Sequence, residues 1–378
     1  MSESKRILML SVSAGAGHGR AAEALRAEAQ AHFPGITAKH IDVMTLVPRS
    51  FRALYAEYYI KLVEHHPSVW AYLYHATDKM PRDALFAKFQ RAIERLNTGK
   101  LRDTLEEFAP EHIICTHFLP AELLAHDIKR KRAVPPVWVQ VTDFDLHRMW
   151  VQAGVRGYFA ASDEIAFRMV RRGIPSGNVC VTGIPIMPAF SQNLDRVECA
   201  RELGIQPDKA TLLLMTGGAG IAGGEQMIER LLALSGDFQI IALAGRNDQL
   251  LANYRRLAAA NVNRLFPLGF TTTIERIMAC ADLAVTKPGG LTVSECLAVG
   301  LPMLLISPIP GQEERNADYL MEQGVAVKAH DAVALEYKIE RLLLSHGDKL
   351  SRMRENMRGL GRPDAARAVL DHVLSDGR

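Results

Sequence analysis

The stretch Thr286-Lys-Pro-Gly-Gly-Leu-Thr-Val-Ser-Glu-Cys-Leu-Ala-Val-Gly-Leu-Pro-Met-Leu-Leu-Ile306 reads as the end of a strand, a Pro-Gly-Gly turn, a helix and the next strand. Leu291, Val293 and Leu297 are spaced to face a sheet, and Gly300 with Pro302 separates the helix from the apolar run that follows. A strand that reaches the next strand through a helix predicts parallel pairing with helices on both faces. The same alternation extends in both directions. In the first half we read strands near Ile7–Val12, Ile36–Ile41, His112–Cys115, Val137–Val141, Gly157–Ala160 and Val179–Val181. A second series lies near Thr211–Met215, Gln239–Ala244, Arg264–Pro267, Leu283–Thr286, Pro302–Ile306 and Val325–Lys328. Between the two series, Gly183–Gln192 carries Pro185 and Pro188, which break the pattern.

A chain of 378 residues is too long for one ordinary core and suits two domains of about 150–200 residues. We expect an α/β protein of two Rossmann-like domains, residues 1–185 and 186–378, facing each other across a cleft. The last helical stretch, Asp364–Leu374, is a candidate to return to the first domain. Hydrophobic residues at 48% and only 46 Gly plus Pro exclude collagen-like, low-complexity and disordered classes. The net charge of +3 does not mark a nucleic-acid binder, and none is expected as a partner. The charge is uneven: 24 Lys and Arg face 19 Asp and Glu in residues 1–190, against 21 and 23 in the remainder. The five cysteines, Cys115, Cys180, Cys199, Cys280 and Cys296, never form a CxxC pattern, so a reducing cytoplasm fits best and no zinc site is suggested. No run reaches the ~18 apolar residues of a membrane span, so any membrane contact is expected to be peripheral.

Each half opens with a strand that runs into a glycine loop. The first loop is Ser13-Ala-Gly-Ala-Gly-His-Gly19, where Gly15 and Gly17 let a ligand approach the backbone and the next helix offers bare N–H groups. It lacks the Walker Lys-Ser/Thr ending and departs from GxGxxG, so a tight turn feeding a helix is an equal reading. His18 at this mouth can take a proton from a hydroxyl, or it simply caps the helix. The second loop, Thr216–Gly224, holds Gly217 and Gly218 in the equivalent place and suits close approach to a phosphate or sugar, or a mobile connection. Arg246, in Ala244-Gly-Arg-Asn247, can pair with phosphate or cap its loop. In the opening stretch, Glu295 near a helix start stays ionised and can hold two ribose hydroxyls, or serve as an ordinary capping acid. Gln312, Glu313 and Asn316, in Ile309-Pro-Gly-Gln-Glu-Glu-Arg-Asn316, can read sugar hydroxyls or be plain surface polars.

Taken together, Ser13–Leu25, Val141-Thr-Asp-Phe-Asp-Leu-His-Arg-Met-Trp150, Val181-Thr-Gly-Ile-Pro-Ile186, Ala244–Asn247, Thr286–Pro302 and Pro310–Asn316 make the chain resemble a glycosyltransferase family. This is the family of monogalactosyldiacylglycerol synthases and processive diacylglycerol glucosyltransferases, in glycosyltransferase family 28. The pair KPGGLT…E and GQE..N at this spacing is its specific part. The resemblance implies the GT-B fold and an inverting transfer of a hexose from a UDP-sugar to a diacylglycerol-type lipid. It places Phe270 beside uracil, Glu295 on ribose, Lys287, Pro288, Gly289, Gly290, Leu291 and Thr292 at the diphosphate, and Gln312 and Glu313 near the hexose. Amides of Gly217 and Gly218 would help the helix start stabilise the departing UDP. His18 becomes the candidate base.

Asp143-Phe-Asp145 looks like a metal-binding DxD, but the KPGG helix already supplies an anion site. We therefore expect no essential metal and no cofactor beyond the UDP-sugar co-substrate, and read Asp143 as an acceptor-domain residue that orients His18 or binds acceptor hydroxyls. A strand-end cap is the plainer reading. Phe51, Tyr55, Tyr58 and Trp70, with Arg49, Arg52 and Lys61 nearby, suit an interfacial helix on anionic lipid, and a core-facing amphipathic helix fits almost as well. The expected location is cytoplasmic, peripheral on the inner membrane face. Two other classes share the architecture: a UDP-N-acetylglucosamine 2-epimerase-like isomerase, which needs no acceptor, and a non-catalytic nucleotide-sugar sensor.

Overall fold

A computed structural model of the protein describes residues 5–13, 15–48, 67–79, 99–215, 223–344 and 348–376. Among these, β1 (Lys5–Ser11), β2 (Ile36–Asp42), β3 (His112–Cys115), β4 (Val137–Gln140), β5 (Gly157–Ala160) and β6 (Val179–Val181) form one sheet in the order β2-β1-β3-β4-β5-β6. A second sheet holds β7 (Ala210–Met215), β8 (Phe238–Gly245), β9 (Leu265–Gly269), β10 (Leu283–Thr286), β11 (Met303–Leu305) and β12 (Ala326–Lys328) in the order β12-β11-β10-β7-β8-β9. Every neighbouring pair is parallel. All the expected strands are present. Their ends move by a residue or two, as where Val12 and Val141 stay buried just past the end of a ladder.

Continuous apolar runs become strands here because helices cover both faces of each sheet. In β1, Leu8 and Leu10 join Leu124, Val139 and Met169 on one side. Ile7 and Met9 join Leu25, Trp138 and Phe159 on the other, the alternation that a pleated strand imposes. In the second sheet Leu212 and Leu214 pack with Ile240, Val285 and Leu304. The helix Gly290–Val299 ends where Gly300 takes φ +70°, the left-handed cap that turns the chain back towards β11.

The described residues fall into two compact units. One takes those of Met1–Pro188, Ile309–Arg315 and Asp364–Arg378, and the other Ala189–Pro308 and Asn316–Pro363. The helix Ala365–Ser375 thus packs on the first sheet. Its Val369, Leu370 and Val373 are fully buried in the cluster of Ile7 and Met9, and Arg367 Nε donates to Glu28 Oε1 at 2.9 Å. Among the described residues no helix is long and apolar enough to cross a membrane.

The strand orders reverse direction between β1 and β3 in the first sheet and between β7 and β10 in the second. At such a switch the connecting chains leave on opposite faces and open a crevice beyond the carboxyl ends of the strands, where α/β proteins bind ligands. Because the C-terminal helix closes one face of the first sheet, Leu370→Ala should lower that unit's unfolding free energy by about 2–5 kcal/mol. Urea denaturation measures this, and a change below about 0.5 kcal/mol would show that the helix is dispensable.

Candidate functional site

The first switch point gathers the ends of β1, β3 and β4. Gly15 takes φ +88° in the loop after β1, and the helix Gly17–His32 begins with no side-chain cap on its N–H groups. His18 lies in its first turn, held against the chain that leaves β3. The Thr116 hydroxyl donates to the His18 carbonyl at 2.8 Å, while His18 Nδ1 lies 3.1 Å from the Thr116 carbonyl and 2.8 Å from Thr142 Oγ1. A carbonyl can only accept, so Nδ1 carries the ring proton and Nε2 the lone pair. Burial lowers the His18 pKa from the usual 6.5 to about 4, and the bond to Thr116 offsets only part of this. The ring is neutral at physiological pH and basic at Nε2.

Aromatic side chains surround it. His117 meets His18 edge to face with ring centroids 4.6 Å apart, Trp150 lies at 6.2 Å, and Phe118 packs on His117 at 4.1 Å. His117 is itself the N-cap of the helix Phe118–Lys129, its Nδ1 accepting the Leu119 N–H at 3.1 Å.

Beside this cluster stands the acidic triplet. Asp145 accepts the Tyr74 hydroxyl at 3.2 Å, and His147 caps a short turn through Nδ1, leaving Nε2 to donate to the Tyr74 carbonyl at 3.1 Å. Burial, then the charges of Asp145 and Asp143, raise the Tyr74 pKa, so its phenol stays a proton donor. His18 is oriented through Nδ1 by Thr116 and Thr142, and Asp143, read as orienting His18 or binding acceptor hydroxyls, is half-buried just after Thr142.

The second switch point lies between β7 and β10. Thr216–Ala222, including Gly217 and Gly218, fall outside the described residues. Lys287 is half-buried at the end of β10, and the turn through Pro288 and Gly289 leads into the helix Gly290–Val299, which has no side-chain cap and no acid in its first turn. Leu291 and Glu295 are buried, while Thr292 keeps some exposure. Arg246, read as a phosphate partner or a loop cap, lies over the ring of Phe270 with its guanidinium 4.3 Å from the centroid. Phe270 is itself 57% exposed, so the two form a flat, solvent-facing platform. Asn316 departs from its expected role as a hydroxyl reader. It is completely buried, and its Nδ2 donates to the Pro288 carbonyl at 3.0 Å, so it holds the turn through Pro288 and Gly289 in place.

Gln312 and Glu313 open the helix Gln312–Glu322, and Glu313 Oε2 accepts the Ile309 N–H at 2.7 Å. Gly311 takes φ +89°, and a Cβ there would stand 2.7 Å from the Tyr74 ring, so only glycine lets the segment lie against Tyr74. Of the expected membrane residues, Phe51, Tyr55 and Tyr58 lie outside the described residues, and Trp70 is half-buried beside Tyr74 at 6.1 Å. Sequence reasoning missed Thr116, His117, Thr142 and Tyr74. A usable signal existed: Cys115-Thr-His-Phe and Val141-Thr-Asp-Phe both place Thr and a polar residue directly after an apolar parallel strand, where side chains enter the switch-point crevice.

The family model "Monogalactosyldiacylglycerol (MGDG) synthase" matches residues 18–186, and "Glycosyltransferase family 28 C-terminal domain" matches residues 225–369. A processive diacylglycerol beta-glucosyltransferase of Bacillus subtilis (strain 168) is 27% identical over 379 residues, covering 100% of this chain and 96% of the relative. Among solved structures, Acinetobacter baumannii MurG superposes with a TM-score of 0.65 at 17% identity, covering 98% of this chain and 99% of that one. The UDP-GlcNAc 2-epimerase of Neisseria meningitidis bound to UDP-GlcNAc gives 0.59 at 15%, covering 98% and 100%. The two structural likenesses carry the fold alone. With the matched domains, they make the protein a glycosyltransferase of the GT-B class, built from two parallel α/β units. More narrowly, the chain belongs to the family that joins a monogalactosyldiacylglycerol-synthase domain to a family 28 C-terminal domain.

The His18 environment has a thermodynamic consequence. The folded ring binds its proton only near pH 4, whereas the unfolded ring does so near 6.5, so between these values the unfolded chain holds more protons. Stability from this residue should therefore be lost as pH falls from about 6.5 to about 4. Urea melts at pH 7 and pH 4.5 should show a smaller acid loss in His18→Gln than in the parent; equal losses would place the His18 pKa near its ordinary value.

Proposed function

We propose that the protein transfers a hexose from a UDP-sugar to the hydroxyl of a diacylglycerol-type lipid in one displacement, giving a β-glycolipid from an α-linked donor. The observation that carries this is the contact of His18 Nδ1 with the Thr116 carbonyl at the first switch point, which assigns the ring proton to Nδ1 and leaves Nε2 as the basic nitrogen. Nε2 removes the acceptor hydroxyl proton as the oxygen attacks the anomeric carbon, and the bond to the UDP oxygen breaks with its electron pair. The lipid acceptor is supported by the name of the full-length relative and the synthase-type domain that contains His18. The epimerase reading rests on fold likeness alone at 15% identity, and the sensor reading gives His18 no task.

In the second unit the uncapped amides of Gly290, Leu291 and Thr292, with Lys287, are proposed to hold the diphosphate. Glu295 would take the ribose hydroxyls and Phe270 would stack on uracil, with Arg246 fixing the Phe270 ring from its other face. Gln312 and Glu313 would face the hexose, and Gly217 and Gly218 would add amides for the leaving group. Asp143 is assigned to the acceptor's hydroxyls. Since backbone amides and a lysine take the growing charge, we expect no essential metal. We infer peripheral attachment to the anionic inner face of the cell membrane, a reading supported by the basic first half and by Tyr72, which is 73% exposed.

Offering UDP-glucose, UDP-galactose and UDP-N-acetylglucosamine with diacylglycerol vesicles, and weighing the products by mass spectrometry, tests the reaction; interconversion of donors without acceptor would support the epimerase instead. His18→Ala should lose at least about 100-fold in kcat while UDP affinity stays unchanged. EDTA should leave the rate within a factor of about two, and loss of activity restored by a divalent ion would overturn the metal-free assignment. Asn316→Ala leaves the Pro288 carbonyl without its donor, so KM for the UDP-sugar should rise about tenfold, as ~1.4 kcal/mol implies, with a smaller effect on the acceptor.

A further inference from the structure

We propose that His117 is a positioning residue for the reaction: its ring, locked by capping the helix Phe118–Lys129, forms the wall that sets the orientation of His18 and keeps its lone pair available to the acceptor. The proposal rests on the reading of His18 as the base. Four observations lead to it.

The first concerns residue type. An N-cap needs only a short side-chain acceptor, and Ser, Thr, Asp and Asn serve best. Histidine occupies this cap, with φ −145° and ψ 152° and Nδ1 on the Leu119 N–H at 3.1 Å. Capping alone does not call for a bulky ring that is 2% exposed.

The second is contact. The ring stands at 87° to that of His18 with centroids 4.6 Å apart. Phe118 lies against His117 at 4.1 Å and Trp150 at 6.2 Å, so His117 cannot swing away without displacing the aromatic cluster.

The third is protonation. Nδ1 of His117 accepts a hydrogen bond, so its proton sits on Nε2 and the ring is neutral. Burial, and then the charge that His18 would carry, push its pKa well below the usual value. The ring therefore contributes no charge to the site in the range where the protein is folded.

The fourth is the surrounding charge. His18 is packed by Thr116, Thr142 and Trp150, none of which titrates, and by His117 from the capped helix. Burial and the Thr116 carbonyl are the causes of its shift. In a Ser-His-Asp triad, by contrast, a carboxylate orients the histidine and stabilises its cation. Here a carbonyl, a hydroxyl and a second neutral imidazole orient the base without a carboxylate, and burial outweighs the rise in proton affinity that the Thr116 bond brings, which keeps Nε2 unprotonated into mildly acid conditions.

Two variants of the full chain separate orientation from capping. His117→Asn keeps the cap and removes the ring, whereas His117→Phe keeps the ring and removes the cap acceptor. Each is assayed with diacylglycerol vesicles and the UDP-sugar that the parent turns over. His117→Asn should melt close to the parent, lose about tenfold or more in kcat at unchanged KM for the donor, and move the acid limb of kcat/KM upward by about one pH unit. NMR titration of the His18 ring should show the same upward movement without turnover. His117→Phe should melt lower and leave the acid limb in place. Parent-like kcat, acid limb and ring titration in His117→Asn would reduce His117 to a helix cap and overturn the proposal. An acid limb moved equally by both variants would also overturn it, since the ring face would then not be the agent. Full activity of His18→Ala would instead remove the base itself, a failure distinguishable from either.

Discussion

The Thr116 carbonyl can accept a hydrogen bond but never donate one, and the chemistry of the first unit follows from that constraint. Because it lies 3.1 Å from His18 Nδ1, the imidazole has one tautomer, and the nitrogen that faces away from the chain is the basic one. The carbonyl stands there because β1 and β3 are neighbours in register, Leu10 opposite Cys115, so the residue after β3 meets the first turn of the helix after β1. The Thr116 hydroxyl closes the arrangement from the other side by donating to the His18 carbonyl. Sheet order, through two hydrogen bonds, thus determines where a lone pair points.

The second unit uses the same topological device for the opposite chemical purpose. Its switch point presents a helix start whose amides have no side-chain cap, a place for negative charge. The first unit offers an electron pair and the second offers hydrogen-bond donors. A group transfer in which an alcohol loses a proton while a diphosphate gains charge requires both. Burial holds His18 neutral, and the helix start of the second unit presents uncapped main-chain amides with Lys287 three residues before it.

The central strands were legible in the sequence because parallel strands buried on both faces read as unbroken apolar runs, Ile7–Leu10 and Leu212–Met215 among them. The glycine loops and His18 were legible for a related reason, since each follows such a run directly. The partners of His18 were not. Thr116 and Thr142 lie 98 and 124 residues away along the chain, and pattern reading within a window sees neither. Asn316 was misread for another reason: a polar residue in a hydrophilic run looks exposed, and only the packing of its helix against the Pro288 turn shows that its amide faces inward. Arg246 was legible as a phosphate partner or a loop cap, and its contact with Phe270, 24 residues on, was not.

The Asn316 contact also explains why the two specific motifs occur at a defined separation. A Pro-Gly-Gly turn has little intrinsic preference for one conformation, because glycine gives up more backbone freedom on ordering than any other residue. An anion site built from such a turn needs an external restraint to be preorganised. Asn316 supplies one from 28 residues downstream, from the first turns of the helix Gln312–Glu322. The asparagine of GQE..N is then a mechanical part, whose inward amide restrains the Pro288 turn. A substitution at Asn316 should therefore loosen the turn itself, which a residue that merely lined the surface would not do.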